Sequence, residues 1–180
     1  MEDIIGVIGI RSWMAIRNKR NNKFSLHSAY RHIRKSAWPS AVLEDRNPPQ
    51  KYGREGIYAY LPEANKEMPD PINAIYGVVE LRGAIQQHKN GTLRAEKCRV
   101  LRLFMTNRIA KEFDTIKYNV PLTINSTPDL GLKQWVLIHG REILIHNASI
   151  LNPRKKVEKK LLALSEGKES INLISNTRRF

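Results

Sequence analysis

The sequence predicts an α+β protein: a largely antiparallel twisted sheet or partly open barrel, with short helices and a basic C-terminal helix. Three observations carry this. From Gly77 to His88, Val79, Leu81, Gly83 and Ile85 alternate with Glu80, Arg82, Gln86 and His88, the two-residue period of a strand with one buried face. Asn90-Gly91 then offers the backbone freedom of a tight hairpin turn, and an extended return segment runs from Leu93 through Met105. Near the end, Asn152 as cap, Pro153 at the first helical position and Gly167 past the last turn frame a helix carrying Val157, Leu161 and Leu164 on one face. With 180 residues, 41% of them hydrophobic, the chain divides into an α+β core at 1–150 and a basic helix with a mobile tail at 151–180.

Each element has its own signal. Ile4 to Ile10 is short and β-branched and reads as a buried strand, its alternation fading toward Trp13. Asn21-Asn22-Lys23 is a loop. Ser25 is placed to cap a short helix with Leu26, Ala29, Tyr30 and Ile33 inward and Arg31, Arg34 and Lys35 outward. Pro39, Pro48 and Pro49 argue against regular structure between Trp38 and Tyr52. Ile57 to Leu61 is a strand that Pro62 stops, and Glu63 to Met68 supports a single helical turn. In the return segment the apolar set changes parity between Ala95 and Cys98, which requires a bulge. Asn107 is read as the cap of a helix through Ile109, Ala110 and Phe113, and Tyr118 to Ile124 as extended. Trp135 to Ile138 and Ile143 to Ile145, apolar on both faces, read as a second hairpin covered on both sides and turning at residues 139–142.

Function is signalled mainly by charge. The formal net charge is +14, and between Arg17 and Lys35 there are seven cations, Arg17, Lys19, Arg20, Lys23, Arg31, Arg34 and Lys35, with no acid among them. Phe24, His27, Tyr30 and His32 interleave. A second cluster, Arg154, Lys155, Lys156, Lys159 and Lys160, opens the C-terminal helix, where positive charge opposes the helix dipole and an anionic neighbour relieves it. Two separated runs of one sign at a pI near 10.1 point to phosphate. No zinc-finger spacing, RNA-recognition aromatic pair or helix-turn-helix is present, so backbone or shape recognition is expected rather than base reading.

Other chemistries lose their usual support. The single Cys98 excludes an internal disulfide and a thiolate cluster within one chain, and reads as a packed thiol. The five histidines do not converge in sequence, and no metal or cofactor is expected. Signature motifs of hydrolases, NTPases and dinucleotide enzymes are missing. No run is long enough to span a membrane and Met1-Glu2-Asp3 lacks the basic start of a secretion signal, so the expected compartment is the cytoplasm. His88 and Arg94 flank the hairpin turn with Glu96 nearby, a trio suited to acid–base work or, equally simply, a solvated strand end.

Gly56-Ile57-Tyr58-Ala59, followed by Gly77-Val78-Val79-Glu80-Leu81-Arg82-Gly83, His88 and Gly91-Thr92-Leu93-Arg94-Ala95-Glu96, resembles a family of small uncharacterised bacterial proteins. Its members share a GIYA strand and a G-x-V-x-L-x-G…H…G-x-x-R-A-E hairpin. Gly9 to Trp13, Leu26 to Ser28 and Trp38-Pro39 fit the same pattern loosely. Family members carry cysteines before the GIYA strand, where this chain has Gly53-Arg54-Glu55. This resemblance brings no activity with it. At the level of fold, the hairpin is also similar to small RNA-binding barrels of the PUA and ASCH type, and Gly-Ile-Tyr-Ala-Tyr to a strand–helix step of ADP-ribosyltransferase-like folds. The latter implies a cleft lined by Tyr58, His88, Arg94 and Glu96, with its catalytic Glu drawn from Glu80, Glu96 or Glu142.

The reading is a non-enzymatic nucleic-acid-binding protein, for DNA or RNA, acting with protein subunits in a nucleoprotein assembly, as an accessory subunit or inhibitor of mobile-element or defence machinery. The alternatives are an ADP-ribosyltransferase-like enzyme and a module for an acidic protein partner.

Overall fold

The computed structural model describes residues 4–29, 37–45, 48–50 and 54–153. The helix expected after Asn152, with its lysines and tail, lies outside these residues, as do Arg31, Arg34 and Lys35.

Among the described residues seven strands form one mostly antiparallel sheet. Strand β1 (Val7–Arg17) turns tightly into β2 (Phe24–Ser28), which pairs with its second half, Trp13 opposite Ser28 through Arg17 opposite Phe24. After β3 (Val42–Glu44), β4 (Ile57–Tyr60) and a 3-10 turn at Pro62–Glu67, the chain enters the long hairpin of β5 (Ala74–Gln87) and β6 (Thr92–Met105). β5 lies between β1 and β6. Three short strands occupy successive stretches of β6: β4 against Thr92 to Ala95, β3 against Lys97 to Arg99, and the parallel β7 (Leu122–Ile124) against Leu103 to Met105. One residue pair, Ile10 with Tyr60, links β4 back to β1. The sheet is therefore strongly bent and closed at a single point, short of a full barrel.

Bending makes two cores from one sheet. On one side Trp13, Leu26, Trp38, Val79, Leu81, Leu93, Cys98 and Leu103 pack together. On the other, Ile8, Ile10, Tyr60, Tyr76, Val78 and Phe104 are covered by Leu132 and Ile143 of helix α3 (Pro128–Leu151). Short helices α1 (Asn107–Ala110) and α2 (Thr115–Tyr118) connect β6 to β7. Burial of Cys98 pushes its thiol up to about 12, as a packed thiol requires.

The β5–β6 hairpin follows the sequence closely, with three refinements. Its turn takes a positive φ at Gly91 only; Gly91 N–H donates to the His88 carbonyl and His88 N–H to Thr92, the three-residue loop pattern. A register shift falls opposite Ala95 to Cys98, but the extra residue belongs to β5, where Gly83 (φ 75°) lies against Glu96. Glu80, expected on a polar outer face, is fully buried, because the covered sheet has no outer face at that point.

Other expectations are corrected. Ser25 caps no helix: β2 is a strand, since the turn at Asn18 to Asn22 (φ 57° at Asn22) returns the chain onto β1 and Ser25 Oγ bonds the Ile16 carbonyl instead. Within the proline-rich stretch, Val42 to Glu44 still pair with β6 as an edge strand. Thr106, not Asn107, caps α1 through its side-chain oxygen, and residues 115–118 form a helical turn ahead of the extended β7. The largest correction concerns residues 128–151. No hairpin forms; Pro128 in the first turn and Asp129 beside it start a 24-residue helix, and Asn152 closes that helix as its C-cap.

Helix α3 is fastened by side chains that act as strand partners. Asn147, buried, accepts from Ile8 N–H (2.8 Å) and donates to the Ile8 carbonyl (2.7 Å), and His146 Nε2 donates to the Gly6 carbonyl (2.7 Å). These satisfy backbone groups of Ile8 in β1 and of Gly6 just before it that no strand pairs.

Candidate nucleic-acid interface

The β1–β2 turn closes on itself through Asn18 N–H to the Lys23 carbonyl (2.8 Å) and Asn22 N–H to the Asn18 carbonyl (2.8 Å), which puts the exposed Lys19 and Arg20 and the half-buried Lys23 at its tip. That tip sits against the α1–α2 segment. Phe24 N–H donates to the Glu112 carbonyl (2.7 Å), Asp114 N–H to the Phe24 carbonyl (3.0 Å), and Asn21 Nδ2 to Asp114 Oδ2 (3.2 Å). Lys111 and Lys117, far away in sequence, flank the same contact. Lys117 lies over the Tyr118 ring (5.2 Å to its centroid), and after burial its charge is the second cause that lowers the pKa of His27 on β2.

The acids of this end are committed. Glu112 pairs with Arg17, which also donates to the Asn22 carbonyl (2.9 Å) and stacks over Phe24 (4.5 Å). Asp114 caps α2 through Lys117 N–H (3.2 Å). Among the described residues no carboxylate pairs with Lys19, Arg20, Lys23, Lys111 or Lys117. The structure thus divides the basic run: Arg17 holds the hairpin against α1–α2, Lys19 and Arg20 are exposed, and Lys23 is half-buried beside them. Lys111 and Lys117 are not apparent from the sequence because they stand singly, each near an acid, and the contacts of Arg17, Asn21 and Phe24 with Glu112 and Asp114 bring them to the tip.

The four residues of the expected cleft are distributed differently. Tyr58 and Arg94 are opposite each other in the β4–β6 register, and Arg94 Nε meets His88 Nε2 at 3.0 Å. Arg94 is buried, however, and its guanidinium also donates to the carbonyls of Gln50 (2.7 Å) and Glu55 (3.2 Å), tying the loop before β4 to the sheet. Glu96 turns to the bulge, where it accepts from Ala84 N–H (3.1 Å). Glu80 is held by five donors and Glu142 is exposed on α3. The geometry gives Arg94 a bracing role, so Arg94→Lys, which cannot reproduce a planar fork of donors, is expected to cost about 2 kcal/mol in chemical denaturation.

The loosely fitting motif residues also meet. Arg11 Nη2 donates to Ser28 Oγ (3.0 Å) and its guanidinium lies 4.9 Å from the Trp38 ring, while Trp13 and Trp38 pack edge to face at 5.2 Å. They form a buried cation–aromatic brace between β1 and β2.

A separate cleft of about 590 Å³ opens between β6, the Asn119 to Pro121 turn and Trp135 and His139 of α3. Its two guanidiniums have partners within the fold: Arg99 binds Glu80 and Arg102 donates to Thr123 Oγ1 (3.0 Å). Among the described residues no group of three His, Cys, Asp or Glu side chains is placed to hold a metal ion, and no helix is long and apolar enough to cross a membrane.

Comparison with protein-family models, curated proteins and solved structures finds no match to this chain.

Proposed function

We propose that this protein binds nucleic acid through its phosphates, at the tip formed by the β1–β2 turn and the α1–α2 segment, and works within a nucleoprotein assembly. The observation that carries this reading is the grouping of Lys19, Arg20, Lys23, Lys111 and Lys117 at one end of the fold, where both neighbouring acids are already engaged. Like charges so placed repel one another, and a polyanion turns that cost into binding free energy by releasing its condensed counterions. The side chains extend from a turn and from the ends of two short helices, an arrangement suited to contact with the phosphate backbone rather than to reading base edges.

If all five side chains meet phosphate, the affinity for duplex DNA falls with a log–log salt slope of about −4.5, and changing Lys19, Arg20 and Lys23 together to Ala removes about three contacts from it. The triple change to Glu is expected to abolish binding with an unaltered melting temperature, since none of the three side chains has a structural partner among the described residues. Arg17 belongs outside such a set, because its loss also breaks the Glu112 contact. Retention of affinity and slope by the Glu variant overturns the proposal.

A further inference from the structure

A bulge in β6 re-aims two arginines. Arg99 and Arg102 are three residues apart in sequence, an odd spacing that sets side chains on opposite faces of a regular strand. The register with β5 shifts between Val78 and Val79: Val78 pairs with Arg102, Val79 with Val100 and Glu80 with Arg99, so Leu101 is the extra residue. Paired residues share a face, and Glu80 and Val78 in turn pair with Ile8 and Ile10 of β1. Both arginines therefore stand on the face that α3 covers, where they line the cleft of about 590 Å³ together with Ile8, Val78, Trp135 and His139.

The charge there is not balanced from within. Glu80 is shared between Arg82 and Arg99, and Arg102 donates to the neutral Thr123 hydroxyl (3.0 Å), so among the described residues three guanidiniums stand against one carboxylate. Among those residues no carboxylate lines the cleft itself. A guanidinium carries five N–H donors, and the bonds to Glu80 and Thr123 leave donors on Arg99 and on Arg102. On α3, Trp135 and His139 hold their ring centroids 4.5 Å apart. Trp13 and Trp38 are buried, whereas Trp135 is half-buried and lines the cleft.

We propose that this cleft binds a nucleoside monophosphate, with its phosphate on Arg99 and Arg102 and its base on Trp135. Forked guanidinium donors match the oxygens of a phosphate, and two of them match its double charge. Every base offers a flat face to an indole ring, and Ile8, Val78 and Leu101 supply apolar wall beside it. An alkyl carboxylate would use the apolar walls, but it needs one cation and no ring. The volume lies within the roughly 300–1,000 Å³ of small-molecule sites, which combine apolar walls with a few convergent polar groups. None of Lys19, Arg20, Lys23, Lys111 and Lys117 lines the cleft, so the proposal holds whether or not the basic tip binds nucleic acid.

Calorimetric titration of the full chain with adenosine 5′-monophosphate tests it. Saturable binding with a dissociation constant below about 1 mM is expected, with adenosine and inorganic phosphate each about tenfold weaker or more. Arg102→Met removes the charge and keeps the aliphatic stem; it should weaken nucleotide binding about tenfold or more, with the milder Arg102→Lys in between. Trp135→Leu should weaken it about tenfold and leave the weaker binding of inorganic phosphate unchanged. Unaltered circular dichroism shows that each variant is folded. Lys19→Glu, Arg20→Glu and Lys23→Glu together should leave nucleotide affinity intact even where polymer binding is lost, which separates the cleft from the tip. In that triple variant, a 5′-phosphorylated oligonucleotide that binds more tightly than its 5′-hydroxyl counterpart identifies the ligand as a strand end, and equal affinities identify it as a free nucleotide. No saturation at about 1 mM, adenosine bound as tightly as its monophosphate, or an affinity unmoved by both Arg102→Met and Trp135→Leu overturns the proposal. Loss of nucleotide binding in the triple Glu variant overturns it equally.

Discussion

Glu80→Ala is expected to lower the free energy of unfolding by about 3 kcal/mol, the low end for breaking a buried ion pair. The carboxylate is fully buried and accepts from Ile5 N–H (3.0 Å), Gly6 N–H (2.9 Å), Arg82 (2.9 Å) and Arg99 (2.9 and 2.7 Å). Both arginines are half-exposed and recover water when the anion leaves, which moderates the cost; the Gly6 amide is buried and recovers nothing. Glu80→Gln should fare little better, since its amide turns a donor toward an arginine. Burial alone would raise the carboxyl pKa, but the bonds from Arg82, Gly6, Arg99 and Ile5 outweigh it and hold the group below its ordinary 4.5. A folded pKa below the unfolded one means that the contribution is complete above about pH 4.5 and disappears as pH falls through the folded value. The gap between wild type and Glu80→Gln should therefore be widest at neutral pH and close in acid. Faster hydrogen exchange at Ile5 and Gly6 is the local signature, and a gap independent of pH would remove Glu80 from this role.

Glu80 also shows where sequence reasoning reached its limit. The alternation around it announced the strand, and Gly91 the turn after it, because both are local: side-chain period and a positive φ are set by neighbours within a few residues. What covers the second face is not local. Helix α3 lies over Ile8, Val78 and Phe104, so the alternation no longer separates core from solvent there. The α3 segment misled for a related reason. Apolar residues on all sides of 135–145 are compatible with a buried hairpin, and the structure assigns them to two opposite stripes of one helix, one of them exposed. Pro128 and Asp129 already signalled a helix start. At β2 the three- and four-residue steps from Leu26 favoured a helix, and the tight return at Asn22 overrode them by bringing Phe24 to Ser28 onto β1.

At the candidate site the sequence shows the quantity of charge and hides its disposition. A run from Arg17 to Lys23 is visible at once, yet whether a given cation is spent depends on an acid far along the chain, as Glu112 is for Arg17. Lys111 and Lys117 join the tip through long-range contacts that the sequence does not show, the backbone bonds of Phe24 with residues 112 and 114 and the side-chain contacts of Arg17 and Asn21 with the same two residues. Arg94, a plausible cleft residue by its place near a turn, is committed by three groups, from Gln50, Glu55 and His88, two of them in a loop without secondary structure.

Asn147→Ala should destabilise by about 3 kcal/mol, for the reason that makes α3 integral to the sheet. A helix offers a sheet edge no backbone partner, so the groups of Ile8 left over by β5 would be buried and unmet. The primary amide of Asn147 supplies an acceptor to the N–H and a donor to the carbonyl of that one residue, the same pair of bonds a neighbouring strand would make. Alanine deletes both and opens space beneath the helix. Asn147→Asp separates the two bonds. Its carboxylate keeps the acceptor for Ile8 N–H but sets a second oxygen against the Ile8 carbonyl, and burial without a cation disfavours the charged form, so its folded pKa lies above the unfolded one. Such a group is tolerated while protonated, when its O–H can donate to the carbonyl, and the stability it contributes is lost as pH rises through the folded value. Relative to wild type at the same pH, the Asp variant should therefore improve on acidification, opposite in sign to the effect of Glu80. Chemical denaturation across pH 4 to 8 reads this, with exchange protection at Ile8 as the local check. An Asp variant with a constant deficit, or an Ala variant as stable as wild type, would mean that α3 is held by Leu132 and Ile143 alone.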